Sequence, residues 1–383
     1  MTAMLHASVY SGAAAARNNG VRYRGAAMKT LFAATIAALI LVSPCFAASD
    51  GFVRETMQVA PHVHLIYRPI ATNAPYEGNS IVIEQSDGLV VVDAGGSPPS
   101  GEYIVAEIKK LSNKPVKDLI YTHYHGDHNL GAGAFLKAWP NMTIVSTAAT
   151  KANMTGKPMN YIKTYSADYA GELDYAKKQV VDPSLPDAVK QGWQQYLDVG
   201  DSIVAGYKDM RAYPASVTFT GTYAIPDRDE PVEIAFLGKA NTDGDAVIWI
   251  PNEKVLCSGD IVVNPIPYAA ASYPSSWIEV LNKLKTYHAK YLIPGHGEVQ
   301  TDNAYVDKVI AALEDVRAQV TPLAKKGVTL EDVYKQADFE TLKASFAGGD
   351  KWKRSLLNSF FLHSIVKNAY FEATGQAIEQ GTS

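Results

Sequence analysis

The sequence predicts a mixed α/β protein, and two observations carry the prediction. Apolar stretches of strand length alternate with amphipathic helical stretches, as where a helix at residues 104–111 is followed by a strand at 116–122. Hydrophobic residues make up 47% of the 383 residues, which is enough for a sizeable core and argues against global disorder. The length allows one large domain or two small ones.

The first 47 residues are expected to form an export signal with an N-terminal extension. Lys29 precedes an apolar run at 31–42, and residues 45–47, CFA, fit a small-x-small cleavage site. The apolar run is too short for a comfortable membrane span, so we expect no stable membrane anchor. The residues before Met28 carry no periodic pattern and suggest a start codon assigned too early. We therefore predict a periplasmic or secreted protein.

Composition limits the partners of the mature chain. Cleavage after Ala47 removes four basic residues and leaves 31 basic against 39 acidic residues, a formal charge of −8. An acidic protein is a poor candidate for binding nucleic acid, so a small-molecule substrate is the expected partner. Cys257 is the one cysteine left, which excludes an intramolecular disulfide, and its apolar neighbours indicate a buried strand thiol. The sequence does not indicate an oligomeric state.

The first half of the chain predicts an α/β half-unit. Strand patterns lie at 59–67, 79–84, 89–93, 116–122 and 143–146, and helical patterns lie at 104–111 and 130–139. The segment 86–88, SDG, between the second and third strands is typical of a hairpin turn. Asp93 ends the third strand, where a carboxylate can cap the local backbone. The order strand, helix, strand and histidine-rich loop defines the half-unit.

Residues 148–215 differ in composition from the rest and predict helices and loops inserted between two halves. Aromatic residues stand among many polar ones: Tyr161, Tyr165, Tyr169, Tyr175, Trp193, Tyr196, Tyr207 and Tyr213. Two interpretations are open, because aromatic spacing does not separate them. The insert is either a lid and substrate wall over the histidine-rich loop or a packing subdomain.

The second half predicts further strands and then helices. Strand patterns lie at 217–223, 232–237, 246–250 and 254–257, and a helix at 276–290 precedes a strand that ends in GHG at 295–297. Beyond residue 300, helical spacing at 306–320 and 352–371, and a sequence resembling a capping box at 329–332, predict a helical extension over 301–383.

The stretch 121–133, YTHYHGDHNLGAG, carries the candidate metal ligands. Side chains two apart at the end of a strand point to the same side, so His123 and His125 can share one ion. Asp127 and His128 fall where the chain turns towards a helix and can reach a second ion close by. Imidazole and carboxylate are ligands that zinc accepts. With only 9 histidines in the chain, three within six residues favour a metal site over a polar loop.

The pattern H-x-H-x-D-H resembles the signature of the metallo-β-lactamase superfamily. The resemblance covers about residues 55–300 and implies a four-layer αββα sandwich, with the helical insert at about 148–215 and C-terminal helices outside it. On this basis, residues 48–300 are expected to form the metallo-β-lactamase-like domain. The resemblance also implies that Asp260 bridges two ions, that His296 completes the second ligand set, and that Asp93 lies near the ions but outside the ligand sets.

Asn241 departs from the pattern of the family. Most members have a histidine at this position, as the third ligand of the ion held by His123 and His125. An amide oxygen is a weaker zinc ligand than an imidazole. The resemblance therefore implies one tightly bound zinc ion, with a second ion or another divalent metal as alternatives, and marks Asn241 as a weak or lost ligand position.

The function implied by the resemblance is a zinc-dependent periplasmic hydrolase. A metal-activated water would attack an ester, thioester, lactone, lactam or phosphoester bond, and Asp127 and Asp260 would orient that water or accept its proton. Tyr268 and Tyr273 are candidates for lining the substrate pocket, with exposed loop positions as the alternative. Two rivals stand: a metallo-β-lactamase proper, although such enzymes usually lack an aspartate at 260, and a non-catalytic binding protein whose metal site has decayed at Asn241.

Overall fold

The computed structural model describes residues 53–69, 77–198, 200–207 and 209–381. The predicted export signal at 1–47 lies outside these residues. One sheet holds the strands β1 (Glu55–Ala60), β2 (Val63–Tyr67), β3 (Ser80–Glu84), β4 (Leu89–Val92), β5 (Val116–Ile120), β6 (Thr143–Thr147) and β7 (Val217–Phe219). The other sheet holds β8 (Thr222–Ile225), β9 (Val232–Ala235), β10 (Val247–Ile250), β11 (Val255–Val263) and β12 (Tyr291–His296).

The strands of each sheet follow the order of the chain. In the first sheet, β1 to β4 pair antiparallel and β4 to β7 pair parallel. In the second sheet, β8 to β11 pair antiparallel and β11 pairs with β12 in parallel. Because parallel strands end at the same edge of a sheet, the loops that follow β4, β5 and β12 gather at one edge of the sandwich.

The core has two parts, separated by the faces of the strands. Successive side chains of a strand point to opposite faces. Val90 and Val92 of β4 accordingly pack into the apolar layer between the two sheets, whereas Leu89 and Val91 pack into the layer under the helices. All four are fully buried. A strand buried on both faces is continuously apolar, which is why β4 reads LVVV.

Helices cover the outer faces of the sandwich and confirm the αββα fold class. They are α1 (Pro98–Leu111), α2 (Ala132–Ala138), α3 (Ala148–Thr155), α4 (Tyr165–Val181), α5 (Asp187–Asp198), α6 (Gly200–Tyr207), α7 (Pro274–Lys285), α8 (Ala304–Lys325), α9 (Leu330–Gln336), α10 (Glu340–Ala347), α11 (Lys351–Leu356) and α12 (His363–Thr374). A π-helical segment, Leu357–Leu362, joins α11 to α12. Among the described residues, no helix combines the length and apolar composition needed to cross a bilayer.

Several element boundaries differ from the prediction; the strand expected at 217–223, for example, is divided between β7 of one sheet and β8 of the other. The single strand expected at 59–67 is the antiparallel pair β1 and β2, because the turn at Pro61 interrupts it. The helix expected to begin at Leu130 begins at Ala132. β11 continues to Val263, so Asp260 lies within the strand and not after it. The insert region contains α3 to α6, whereas the proposed division at residue 300 stays a prediction.

Candidate metal centre

The histidine-rich loop follows β5 at the edge where the parallel strands end. A short 3₁₀ helix, Gly126–His128, turns the loop back towards the sheets. His123 and His125 lie in the loop and are buried. Asp260 comes from β11, and His296 is the last residue of β12. Both halves of the chain therefore bring predicted ligands to the same edge of the sandwich.

The first group of predicted ligands joins the H-x-H pair to the second half of the chain. One ligand atom from each of His123, His125 and Asp260 lies within 4.8 Å of the other two. His123 Nε2 lies 2.9 Å from His125 Nδ1 and 3.7 Å from Asp260 Oδ2. Two imidazoles and a carboxylate are a ligand set that zinc and similar divalent ions accept.

The second group consists of Asp127, His128 and His296. His296 Nε2 lies 3.2 Å from His128 Nε2 and 3.1 Å from Asp127 Oδ2. Asp260 Oδ1 is also close, at 3.2 Å from His128 Nε2 and 3.4 Å from His296 Nε2. Because Asp260 faces both groups, it occupies the place that a bridging ligand would need.

Two glycines permit this close packing of ligands. A Cβ atom on Gly78 would lie 2.5 Å from Cε1 of His128, and a Cβ atom on Gly295 would lie 2.0 Å from Oδ1 of Asp260. Neither distance is tolerable between non-bonded heavy atoms. A side chain at either position would therefore displace a predicted ligand.

Asp93 orients one of the histidines from behind. Its backbone is in the left-handed region, with φ of 59°, at the end of β4. Its carboxylate accepts hydrogen bonds from the backbone N–H and Oγ1 of Thr122 at 2.9 and 2.8 Å, and lies 2.8 Å from Nδ1 of His128. A carboxylate on Nδ1 keeps that nitrogen protonated and leaves Nε2 free for a metal ion. Asp93 is thus outside both ligand groups.

The two histidines of the first group are held in the neutral form. Burial, together with the neighbouring His128, lowers the pKa of His123 to about 3 and that of His125 to about 4. A neutral imidazole is the form that binds a metal ion. At neutral pH these two side chains therefore present free nitrogen lone pairs.

The second group attracts positive charge. Burial alone would lower the pKa of His128 and His296, but the negative charges of Asp260 and Asp127 outweigh the effect of burial. The pKa of His128 is therefore raised well above its usual value, and that of His296 is raised to about 9. Burial would likewise raise the pKa of the two carboxyls, yet His128 and His296 lower the pKa of both. The same carboxylates would stabilise a bound cation.

Three buried polar atoms test whether the site suits a metal ion. His125 Nε2, Asn241 Oδ1 and Asp260 Oδ1 are buried and make no hydrogen bond within the described part of the chain, although Asp260 Oδ1 has the two histidines of the second group as ion-pair neighbours. An unpaired buried lone pair is costly, and each of these three atoms is a metal ligand by chemistry. The residues present therefore fit one or two divalent cations.

The remaining predicted residues have different surroundings. Asn241 is fully buried, and its Nδ2 donates to the Tyr268 carbonyl at 2.7 Å. The Tyr268 ring meets that of His125 edge to face at 5.6 Å between centroids. The Tyr273 hydroxyl points elsewhere and donates to the carbonyl of Ile378 at 3.3 Å. The structure therefore places Tyr268 beside the ligands and ties Tyr273 to the C-terminal segment.

The chain matches a known protein family. A family model described as the metallo-beta-lactamase superfamily matches residues 74–296, more than half of the chain. The chain belongs to this superfamily. The match contains both ligand groups and all twelve strands except β1 and β2.

Relatives in the superfamily include enzymes with different substrates. The linear primary-alkylsulfatase of a Pseudomonas species is 24% identical over 280 residues, which cover 66% of this chain and 48% of the relative. The type 2 metallo-beta-lactamase of Bacillus cereus is 26% identical over 227 residues, which cover 58% of this chain and 67% of the relative. The chain thus spans about half the length of the alkylsulfatase that it matches.

A solved structure extends the likeness beyond the sandwich. A double mutant of the sec-alkyl sulfatase PisA1 superposes with a TM-score of 0.56 and 16% sequence identity. The superposition covers 84% of this chain and 50% of that one. At this identity the likeness concerns the fold alone.

An open cleft of about 800 Å³ leads to the ligands of this superfamily member. Its polar part contains His125, Asp127, Asp260, Asn264 and His296. Its tyrosines are Tyr161, Tyr165, Tyr207 and Tyr268. Its apolar part contains Leu130, Val263, Pro265, Ile266, Leu356 and Phe360. No lysine or arginine is among the described residues that line it, and neither is Tyr273.

For several lining residues, the sequence did not decide whether they belong to the pocket. Tyr161, Tyr165 and Tyr207 belong to the insert, whose aromatic composition was the only signal and did not distinguish a pocket wall from a packed core. Leu356 and Phe360 belong to the C-terminal helices. An amphipathic helix shows that one face is buried but does not show what buries it.

Proposed function

We propose that the protein is a zinc-dependent hydrolase of uncharged esters or lactones that carry an alkyl chain. The observation that supports this best is the cleft itself, in which two groups of metal ligands share a pocket with an apolar wall. The absence of a cationic side chain from its described lining favours a neutral substrate over a phosphoester, because a buried anion needs a charged or hydrogen-bonding partner.

The division of labour among the residues follows from their positions. His123, His125 and Asp260 would hold one ion, and Asp127, His128 and His296 the other, with Asp260 shared. A zinc ion held by these residues would supply the Lewis acidity that lowers the pKa of water and polarises a carbonyl oxygen. Asp127 and Asp260 would orient the attacking water or accept its proton, and the lowered pKa values keep both carboxylates ionised at neutral pH, in the form that accepts a hydrogen bond from water.

Tyr161 is positioned to assist at the mouth of this site. Its hydroxyl lies over the backbone of Gly126, where a Cβ atom would be only 2.2 Å away. Burial raises the pKa of the phenol, and Asp127 raises it further. The hydroxyl therefore keeps its proton and can donate a hydrogen bond to an oxygen of the substrate.

A matched series of p-nitrophenyl esters tests the proposal. With zinc-loaded enzyme, kcat/KM should rise from the acetate to the decanoate, because a longer chain covers more of the apolar wall. Phe360→Ala should remove much of this rise. It should lower kcat/KM about tenfold for the decanoate and leave kcat/KM for the acetate nearly unchanged. An equal loss for both esters would contradict an alkyl-binding role for Phe360.

An alkyl sulfate is the second candidate substrate, because the sequence similarity to the linear primary-alkylsulfatase favours it. Decyl sulfate and p-nitrophenyl decanoate offer chains of equal length with a charged and a neutral head group. Preference for decyl sulfate would replace the neutral-ester proposal. Nitrocefin in the same panel tests a metallo-β-lactamase proper, and zinc binding without turnover of any of them would favour a non-catalytic binding protein.

We also propose that the protein is exported to the periplasm or secreted. The support is the sequence alone: a basic residue, the apolar run at 31–42 and the cleavage pattern at 45–47. N-terminal sequencing of protein from fractionated cells should find a chain that begins near Ala48. A cytoplasmic chain that still begins with Met1 would refute the proposal.

A further inference from the structure

We propose a second metal site, with a structural role, formed by His62, Glu230 and Glu253 at the end of the sandwich away from the catalytic centre. The three residues come from three turns that are far apart in the chain. His62 lies between β1 and β2, Glu230 between β8 and β9, and Glu253 between β10 and β11. A divalent cation of the zinc type is the ligand that their chemistry selects.

The side chains converge on a single point. One ligand atom from each residue lies within 4.8 Å of the other two. His62 Nδ1 lies 3.3 Å from Glu230 Oε2 and 2.8 Å from Glu253 Oε1. Ligands of a tetrahedral zinc ion, each about 2.0–2.1 Å from it, stand roughly 3.3 Å apart. The distance between His62 and Glu230 already matches this spacing, whereas that between His62 and Glu253 would have to lengthen by about half an ångström.

The Glu230 carboxylate provides independent support. Glu230 is only 1% exposed, and its Oε1 has no hydrogen-bond partner within the described part of the chain. The residue is also fixed in place, since its N–H donates to Asp227 Oδ1 and its carbonyl accepts from Gln85 Nε2. A rigid buried carboxylate with an unused oxygen is expensive unless a cation is bound to it.

The net negative charge of the three side chains also favours a bound cation. Among the described residues, His62 is the only ion-pair partner recorded for either Glu230 or Glu253. Two carboxylates therefore face one imidazole, which leaves a net negative charge even when that imidazole is protonated. A divalent ion would neutralise both carboxylates. The His62 side chain is 50% exposed, so water has access as a fourth ligand.

The location gives the ion a structural role. β1 and β2 belong to the seven-stranded sheet, whereas β8 to β11 belong to the five-stranded sheet. An ion held by all three turns would tie the two sheets together. Glu253 precedes Asp260 by seven residues along the chain and β11, a separation of roughly 20 Å in an extended strand. Loss of the ion should therefore lower stability and leave the catalytic residues in place.

The test uses the full-length protein with zinc alone as the probe. Metal content per chain is measured by elemental analysis after dialysis against a mild chelator, for the wild type, His62→Gln and Glu230→Gln. His64→Gln is the matched control, because His64 lies two residues further along the chain, in β2, and pairs with the single carboxylate of Glu84 at 3.1 Å. The rise in melting temperature on addition of zinc is measured for all four proteins.

The proposal expects a specific pattern. His62→Gln and Glu230→Gln should each lose about one ion per chain and part of the zinc-dependent rise in melting temperature. His64→Gln should keep the metal content and the melting shift of the wild type. All four proteins should hydrolyse the best substrate at similar rates. Equal metal content and equal melting shifts in all four would overturn it, and would indicate that a proton on His62 bridges the carboxylates instead. If Glu230→Gln does not fold, the half-exposed His62→Gln decides.

Discussion

At the scale of single residues, the geometry of the centre depends on side chains that do not bind metal. Asp93 adopts a left-handed backbone conformation, which aspartate tolerates better than most residues. That conformation directs its carboxylate to Thr122 and to Nδ1 of His128 at once. Thr122 Oγ1 in turn lies 3.0 Å from Nδ1 of His123. One carboxylate thereby orients a histidine from each ligand group.

We infer that Asn241 makes the two groups unequal, so that Asn241→His should equalise them. The Asn241 amide holds the Tyr268 carbonyl with its nitrogen and offers only Oδ1, a weaker zinc ligand than imidazole. After dialysis against a mild chelator, the wild type should carry closer to one catalytic ion and Asn241→His closer to two. Elemental analysis is done on both chains with Glu230→Gln added, so that the proposed structural site contributes nothing.

Retention of two ions by the chain with the natural Asn241 would show that the amide is an adequate ligand. His363, a histidine outside both ligand groups, does not supply a further ligand in this fold, because it is exposed on α12 and its ring stacks on Tyr334 at 5.6 Å between centroids. Circular dichroism of both chains serves as the folding control, since a histidine at 241 removes the hydrogen bond to Tyr268.

Residue spacing predicted that the first two candidate ligands lie together, whereas their binding of a metal ion stays a prediction. His123 and His125 share a group, as two side chains two apart at a strand end should. His296 joined the prediction only through the family resemblance, since an isolated histidine at a strand end has no distinctive pattern. The cluster of His62 with Glu230 and Glu253 was not predicted, because its members are up to 191 residues apart and no local pattern connects them.

At the scale of elements, the π-helical segment Leu357–Leu362 connects the C-terminal helices to the cleft. A π-helix shifts the backbone hydrogen bonds by one residue and frees a carbonyl from the usual pattern. The Phe360 carbonyl accepts a hydrogen bond from the N–H of Ala269 at 2.9 Å, and the Phe360 ring lies 6.0 Å from that of Tyr268. Helical spacing at 352–371 predicted a helix but not this irregularity, which depends on the loop packed against it.

The insert contains a buried carboxyl that should make stability depend on pH. Glu172 Oε2 accepts a hydrogen bond from the Tyr196 hydroxyl, whereas Oε1 has no partner within the described residues. Burial raises the pKa of Glu172. A raised pKa in the folded state means that stability is complete below the unfolded pKa of about 4.3 and falls as pH rises past it.

Glu172→Gln should therefore stabilise the protein at pH 8 by about 1 kcal/mol and have little effect near pH 4. The amide keeps an acceptor for Tyr196 and carries no charge. Urea unfolding at the two pH values measures the difference, with Asp174→Asn on the exposed side of the same helix as the control. A loss of stability at pH 8 would indicate that the ionised Glu172 is favourably solvated.

At the scale of the whole molecule, contacts between distant segments complete the sandwich. The insert and the C-terminal extension pack together, where the Trp193 and Trp352 rings lie 5.6 Å apart and a Cβ atom on Gly192 would be 2.3 Å from the Trp352 ring. The αββα class was predictable from the strand and helix patterns with the H-x-H-x-D-H resemblance. This packing was not, because sequence periodicity shows that a face is buried but not which partner buries it.

Asn79 connects the two halves of the sandwich beside the metal centre. It is 1% exposed, its N–H donates to the carbonyl of Gly295, and its Nδ2 donates to the carbonyls of Pro294 and Gly297 at 2.9 Å each. These three residues surround His296 in sequence. Asn79 therefore fixes the segment that brings His296 from the second half to Asp127 and His128 in the first.

Asn79→Ala should cost about 1–3 kcal/mol of stability, because two buried carbonyls lose their donor, and should weaken zinc binding at the His296 group by about tenfold or more. Asn368→Ala is the matched control. Asn368 is equally buried and donates to the Ala270 carbonyl and Ser272 Oγ, away from both ligand groups. Zinc titration with a competing chelator, together with urea unfolding, separates the two effects. Asn368→Ala should lose stability and keep its zinc affinity. An equal loss of zinc affinity in both variants would mean that the metal centre responds to global stability and not to the hydrogen bonds of Asn79 between the two halves.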